Sequence, residues 1–157
     1  MKGEIRLSNL RNRCSFLSKE TVKLALLRSY IADVSLCNDQ GNLELYGLPA
    51  ALFFLNVVEE CALSSVRDES PTAWPMPETD ENLLISTKND VLSIEASLDG
   101  VNWQGMRVFC INRDDGTRLF YNKLRDLIAP DRNLIESLGA KIIDNPVIRH
   151  IFDYRYI

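Results

Sequence analysis

The sequence predicts an α+β domain, and three observations carry that expectation. The stretch Val91–Ser97 alternates strictly, with Leu92, Ile94 and Ala96 on one face and Ser93, Glu95 and Ser97 on the other; this is the pattern of a half-buried antiparallel strand. Residues 48–64, LPAALFFLNVVEECALS, form an apolar run too long for an ordinary strand. The last third carries apolar residues at helical spacing, broken by Pro130 and Pro146. No βαβ alternation opens on a glycine-rich turn, so a dinucleotide-binding fold is not supported. The expected architecture is an antiparallel sheet of four or five short strands, with helices packed on one side and a helical C-terminal third.

Taken in order, Glu4–Leu7 reads as a short edge strand. Ser18 reads as an N-cap with Leu17 and Val22 as a hydrophobic staple, and Leu24, Leu27, Ile31 and Val34 then predict an amphipathic helix over 19–36. Asn38-Asp39-Gln40-Gly41 ends it, and Leu43, Leu45 and Tyr46 make a short strand closed by Gly47. For residues 48–64 length, Pro49 and Ala50-Ala51 favour a central buried helix over a strand. Pro71, Pro75 and Pro77 argue against regular structure across a proline-rich acidic loop at 66–82. Strands follow at Leu83–Thr87, Val91–Ser97 and Met106–Asn112, with turns at Lys88-Asn89-Asp90, Asp99-Gly100 and Asp115-Gly116. Leu119, Phe120, Leu124, Leu127 and Ile128 predict a helix that stops before Pro130. Asp131 is placed to cap a short helix with Leu134, Ile135 and Leu138, ended by Gly139, and Asn145-Pro146 opens a last helix through Ile148 and Phe152.

The 157 residues predict one domain, 1–157, with core enough to dispense with disulfides or metal. There is no secretory h-region at the start and no run long enough to span a bilayer, so the expected place is the cytoplasm. Cys14, Cys37, Cys61 and Cys110 are widely spaced, with no C-x-x-C and only His150 to join them. They read as free thiols in a reducing compartment, and no metal or other cofactor is expected.

Charge is the most uneven property of the chain. Residues 59–99 hold ten acids against two bases, a net of −8, while the flanks are each +2, giving −4 overall. Such a block sets up a local field that steers a basic partner. Within it stands Trp74, amid Pro71, Pro75 and Pro77 and close to Glu69, Glu78, Asp80 and Glu81; Trp103 sits in a second connection. Tryptophan ringed by polar groups is typical of interface anchors, although a loop tryptophan also serves as a lid on a core. These six residues are the expected partner-binding set, and no catalytic set is expected. His150, beside Arg149 and near Asp153, has no G-x-S-x-G or cysteine-nucleophile signature to work with. The strand-edge acids Asp90, Glu95, Asp99, Asp114 and Asp115 lack the acid-x-Lys pairing of restriction-like nucleases, since Glu95 is followed by Ala96-Ser97. The basic residues from Arg6 to Arg28 are interspersed with Glu4 and Glu20 in a net acidic chain, which argues against direct nucleic-acid binding; nothing indicates a homo-oligomer.

The segment Gly41-Asn42-Leu43-Glu44-Leu45-Tyr46-Gly47-Leu48-Pro49-Ala50-Ala51-Leu52, a short strand, a glycine and an apolar helix start, resembles a pattern in immunity proteins of bacterial polymorphic toxin systems, including contact-dependent growth inhibition. The resemblance covers about a dozen residues and carries over no site residues. It implies a compact, acidic protein without catalytic apparatus that binds and blocks a cognate toxin domain, a basic nuclease being the natural target of an acidic surface. The alternatives are a phage or mobile-element accessory protein acting as an acidic mimic of nucleic acid, and a small enzyme subunit using the strand-edge acids.

Overall fold

The computed structural model describes residues 3–11, 21–63, 72–75, 82–97, 107–137 and 145–152. Its elements run β1 (Gly3–Arg11), α1 (Val22–Arg28), β2 (Ile31–Asn38), β3 (Gly41–Pro49), α2 (Ala50–Leu63), β4 (Thr72–Pro75), β5 (Asn82–Lys88), β6 (Val91–Ser97), β7 (Arg107–Asn112), α3 (Arg113–Ile128), a 3-10 turn at Ala129–Asp131, α4 (Arg132–Glu136) and α5 (Pro146–Ile151). The chain is α+β and all its strand pairs are antiparallel. The strands do not form the expected single sheet of four or five. They form a three-stranded sheet, β1-β2-β3, and a four-stranded sheet, β4-β5-β6-β7.

The split follows from a segment whose periodicity is ambiguous. The expected helix over 19–36 stops at Arg28, and Ile31–Asn38 is the central strand of the first sheet. Leu24, Leu27, Ile31 and Val34 fit a helical stripe, but Ala32, Val34 and Leu36 alternate with Asp33, Ser35 and Cys37 over the same stretch. The alternation wins because it buries all three apolar residues between two flanking strands, while Leu24 and Leu27 stay exposed. Thr21, not Ser18, caps α1, its hydroxyl accepting the Leu24 N–H at 3.2 Å; Ser18 lies outside the described residues. Asn38–Gly41 is then a hairpin turn, with Asn38 Oδ1 accepting the N–H groups of Gln40 and Gly41.

α2 forms as expected and is enclosed on nearly every side: Ala50 through Leu55, Val57, Val58, Glu60 and Cys61 are all buried. The rings of Phe53, Phe54 and Phe120 meet with centroids 5.7–5.8 Å apart, joining α2 to the middle of α3. The inner faces of both sheets complete this core through Val34, Leu36, Leu43 and Leu45 on one and Leu83, Ile85, Ile94 and Phe109 on the other. Burial of each such side chain contributes roughly 1.5–3 kcal/mol.

Other expectations shift for local reasons. Asp115-Gly116 is no turn but part of the first turns of α3. A Cβ on Gly116 would lie 2.8 Å from Leu92 Cδ2 and 2.9 Å from Ile111 Cγ2, so the glycine is required for close packing of the helix on the sheet. Asp131 does not cap α4 with its side chain; it accepts the hydroxyl of buried Tyr30 at 2.7 Å. Tyr30 has φ 58, a costly backbone state for a bulky residue, and its carbonyl accepts the Ala50 N–H at 3.0 Å. Asn145 does cap α5, accepting from Val147 and Ile148 at 3.1 Å. Thr72–Pro75, expected within a loop, is a strand at one end of the second sheet, where a terminal proline is tolerated. The Asp99-Gly100 turn and Gly139 lie outside the described residues.

The two sheets meet end to edge. Gly3, Asn38 and Gly41 form one row across the first sheet. Asn38 Nδ2 donates to the carbonyl of Cys110 on β7, and Gly3 sits where a Cβ would come within 2.8 Å of Ile111 Cδ1. This row covers an edge of β7 that would otherwise be open to strand addition.

Candidate functional site

The residues expected to bind a partner fall mostly beyond what the structure describes: Glu69, Glu78, Asp80, Glu81 and Trp103 lie outside the described residues. Trp74 lies on β4, the terminal strand of the second sheet among the described residues, registered against Leu83, which is buried. Its side chain is likewise outside the description.

His150 occupies the exposed side of α5, where its Nδ1 shares a hydrogen bond with the hydroxyl of Tyr121 on α3. The rings are edge-on with centroids 5.4 Å apart, and burial raises the Tyr121 phenol above its ordinary range. The one imidazole thus ties α5 to α3 through a phenol. The strand-edge acids are scattered: Asp90 is in the β5–β6 turn, Glu95 on the solvent side of β6, and Asp114 and Asp115 open α3. Among the described residues, no three His, Cys, Asp or Glu side chains group to hold a metal ion.

Cys37 and Cys110 are thiols outside any disulfide among the described residues; Cys14 lies outside the described residues. Cys61 is buried at the end of α2, and burial pushes its thiol pKa up against a hydrogen bond with Thr117. It lines a pocket of about 400 Å³ with Ala62, Arg113, Asp114, Thr117 and Arg118. The charges there are balanced: Arg118 pairs with Asp115 at 2.5 Å, and Arg113 approaches Asp90 at 3.5 Å. The Asn112 side chain accepts the N–H groups of Asp114 and Asp115, so the helix start does not offer those donors to an anion.

The more distinctive surface is the solvent face of the first sheet. Register places three rows across it: Glu4, Cys37 and Asn42; then Arg6, Ser35 and Glu44; then Ser8 and Asp33 beside Tyr46. These nine positions hold three carboxylates and one guanidinium. The carboxylates are held in place. Glu4 pairs with Arg6 at 3.0 Å, which lowers its pKa. Glu44 Oε1 accepts the Ser35 hydroxyl at 2.8 Å and the Asn42 amide at 3.0 Å. Asp33 accepts Asn9 Nδ2 at 2.7 Å and the Gly47 N–H at 2.9 Å, and these two bonds hold its pKa below the usual carboxylate range. Tyr46 stands 54% exposed next to this last group. At the opposite end a pocket of about 480 Å³ is lined by Gly3, Glu4, Cys37, Asn38 and Asp39.

Sequence reasoning overlooked this face because it assigns Asp33 and Ser35 to a helix. The signal that finds it is the alternation Ala32, Val34, Leu36 against Asp33, Ser35, Cys37. No helix among the described residues is long and apolar enough to cross a membrane. The chain matches no family model, no curated protein and no solved structure.

Proposed function

We propose that this chain is a non-catalytic protein-binding module, an immunity protein that binds and neutralises a basic toxin domain, such as a nuclease, in the cytoplasm. The observation that carries the reading is the charge segregation: −8 in residues 59–99 between two flanks of +2 each. A field of that kind raises the rate of encounter with a basic protein and selects against acidic ones. The strand-glycine-helix segment at 41–52, β3 running through Gly47 into α2, is the part of the chain that resembles immunity proteins.

The test begins with the protein encoded beside this chain, purified and mixed with it. Charge reversal at Glu78, Asp80 and Glu81 is expected to slow association more than it speeds dissociation, and rising salt is expected to do the same, because exposed charges are screened beyond about 8 Å at physiological ionic strength. Trp74→Ala is expected to weaken the complex by about 2 kcal/mol or more. The register of Trp74 against buried Leu83 sets the rival expectation, a loss of about 3–5 kcal/mol of folding stability on truncation. Urea unfolding and stopped-flow association on the same variant separate the two. A destabilised variant with unchanged affinity assigns Trp74 to the core, and association indifferent to salt and to charge reversal removes the steering argument.

A further inference from the structure

We infer that α4 and α5 form a hinged cover over one side of α2 that opens as a unit while both sheets stay folded. This goes beyond the reading of the chain as an immunity protein and does not rest on it. The cover is thinly anchored. Within 132–137 and 145–152 only Ile135, Ile148 and Phe152 are buried, and Val147 and Ile151 are half-buried against the core. α2, by contrast, packs against β2 and β3 of the first sheet, β5 of the second, α1 and α3 as well as α5, so losing α5 leaves it held on its other sides. Elements with few buried apolar side chains open locally at a lower free energy than the core does. Opening withdraws Ile135, Ile148 and Phe152 from the common core and uncovers the side of α2 against which α5 packs. The closed protein does not present that apolar surface.

The two helices are tied to each other. The guanidinium of Arg132, at the start of α4, lies over the Phe152 ring just past the end of α5, 5.6 Å from its centroid, a cation–π contact between the two. The hinge is the turn Ala129–Asp131, which joins α3 to α4 and carries Pro130; a short 3-10 piece between α-helices is a common form of hinge. Two phenols clasp the cover shut. Tyr121 on α3 shares a hydrogen bond with His150 at the outer end. Tyr30, at the entrance to β2, donates to Asp131 in the hinge at 2.7 Å. Tyr30 holds this bond from a left-handed backbone, φ 58, a costly state for a bulky residue that persists only where several contacts fix it. The Asp131 bond and the Ala50 N–H on the Tyr30 carbonyl, at 3.0 Å, are two of those contacts.

The test is native-state hydrogen exchange on the full chain, in urea below the unfolding transition. The amides of Ser137, Arg149 and Phe152, bonded to carbonyls of Leu134, Asn145 and Ile148 at 2.9–3.2 Å, report the cover; the amides of β6 report the sheets. The cover amides are expected to exchange at least about tenfold more readily than those of β6, and to respond less steeply to urea, because a local opening exposes less surface. Ile94→Val on β6 is the discriminating variant. It is expected to raise exchange in β6 by about twofold to tenfold and to leave the cover amides unchanged. Tyr121→Phe and Tyr30→Phe remove bonds that break in the local opening and in global unfolding alike, so each is expected to raise exchange in both sets by about threefold to tenfold. If Ile94→Val speeds both sets equally, or if the two sets share one urea dependence, α4 and α5 open only with the whole chain and the cover is overturned. If Ser137 and Arg149 differ in their urea dependence, the two helices are not a unit. If Tyr30→Phe speeds β6 and not the cover, the Asp131 bond survives opening and the hinge is not at 129–131.

Discussion

The two sheets differ in regularity. In the second, the register of β5 with β6 runs unbroken from the Asn82–Ser97 pair to the Lys88–Val91 pair, and that of β6 with β7 from the Val91–Asn112 pair to the Ala96–Arg107 pair. In the first, the register slips twice, between Ser8 and Arg11 on β1 and between Ala32 and Val34 on β2. Both slips lie beside Asp33, whose two oxygens take one donor from each flanking strand, Asn9 on β1 and Gly47 on β3. Regular sheets are held chiefly by ladder bonds and inward packing, so their solvent faces tolerate change. In this twice-bulged sheet one solvent-face carboxylate bridges both irregularities, so part of the hydrogen bonding that holds the three strands comes from a side chain and not from the ladder.

The comparison is bounded above by what the sheets share. Both close on the Phe53–Phe54–Phe120 cluster, and Phe120 is wholly buried. Phe120→Ala is expected to cost about 3–5 kcal/mol and to loosen both sheets together. Urea unfolding with amide exchange checks this; loss of protection in one sheet only would show that the two fold as separate units.

Next in size is Asp33→Ala, expected to cost about 2 kcal/mol, since it removes two hydrogen bonds to a charged acceptor. Glu95→Ala, on the solvent side of the regular sheet, is expected to stay within about 0.5 kcal/mol. Equal losses would erase the distinction between the sheets. Acid gives an independent reading. The folded pKa of Asp33 is depressed, so its contribution is fully present above the ordinary aspartate value of about 3.9 and is lost as pH falls through the lower folded value. Wild type is therefore expected to lose stability relative to Asp33→Asn below about pH 4, and a difference between them that holds constant from pH 6 to pH 2 would contradict the assignment.

The contrast also explains what the sequence makes legible. α2, β6 and the Asn145 cap are readable because one pattern dominates each: a long, mostly apolar run, strict alternation, or a cap followed by proline. β2 is not, because Ile31 and Val34 fit a helical continuation from Leu24 and Leu27 as well as they fit a strand, and only burial between β1 and β3 decides. Gly116 misleads because a glycine needed for close packing carries the same letter as one needed for a turn. Of the expected site, the acidic charge is legible at once. The Asp33, Glu44 and Tyr46 face is not, since it exists only after three strands separated in sequence are placed side by side.

The smallest expected effect lies in the regular sheet. Its β5–β6 turn places Asn89 at φ 53 and Asp90 at φ 63, the paired left-handed conformation of a tight hairpin in which glycine is preferred at the second position. Asp90→Gly relieves the cost of a side chain there, about 1 kcal/mol at most for a residue as tolerant as aspartate. It also removes the Asp90–Arg113 contact at 3.5 Å, where Asp90 is 80% exposed, and such exposed pairs contribute about 0–1 kcal/mol. The Asp90 carbonyl still accepts the Arg113 N–H at 2.8 Å, since that bond belongs to the backbone. The two changes oppose each other, and the net is expected to lie within about 0.5 kcal/mol of wild type. A urea midpoint lowered by the equivalent of more than about 1 kcal/mol would mean that the ion pair fixes the start of α3 against the hairpin, and that the regular sheet too depends on a carboxylate, here in its turn.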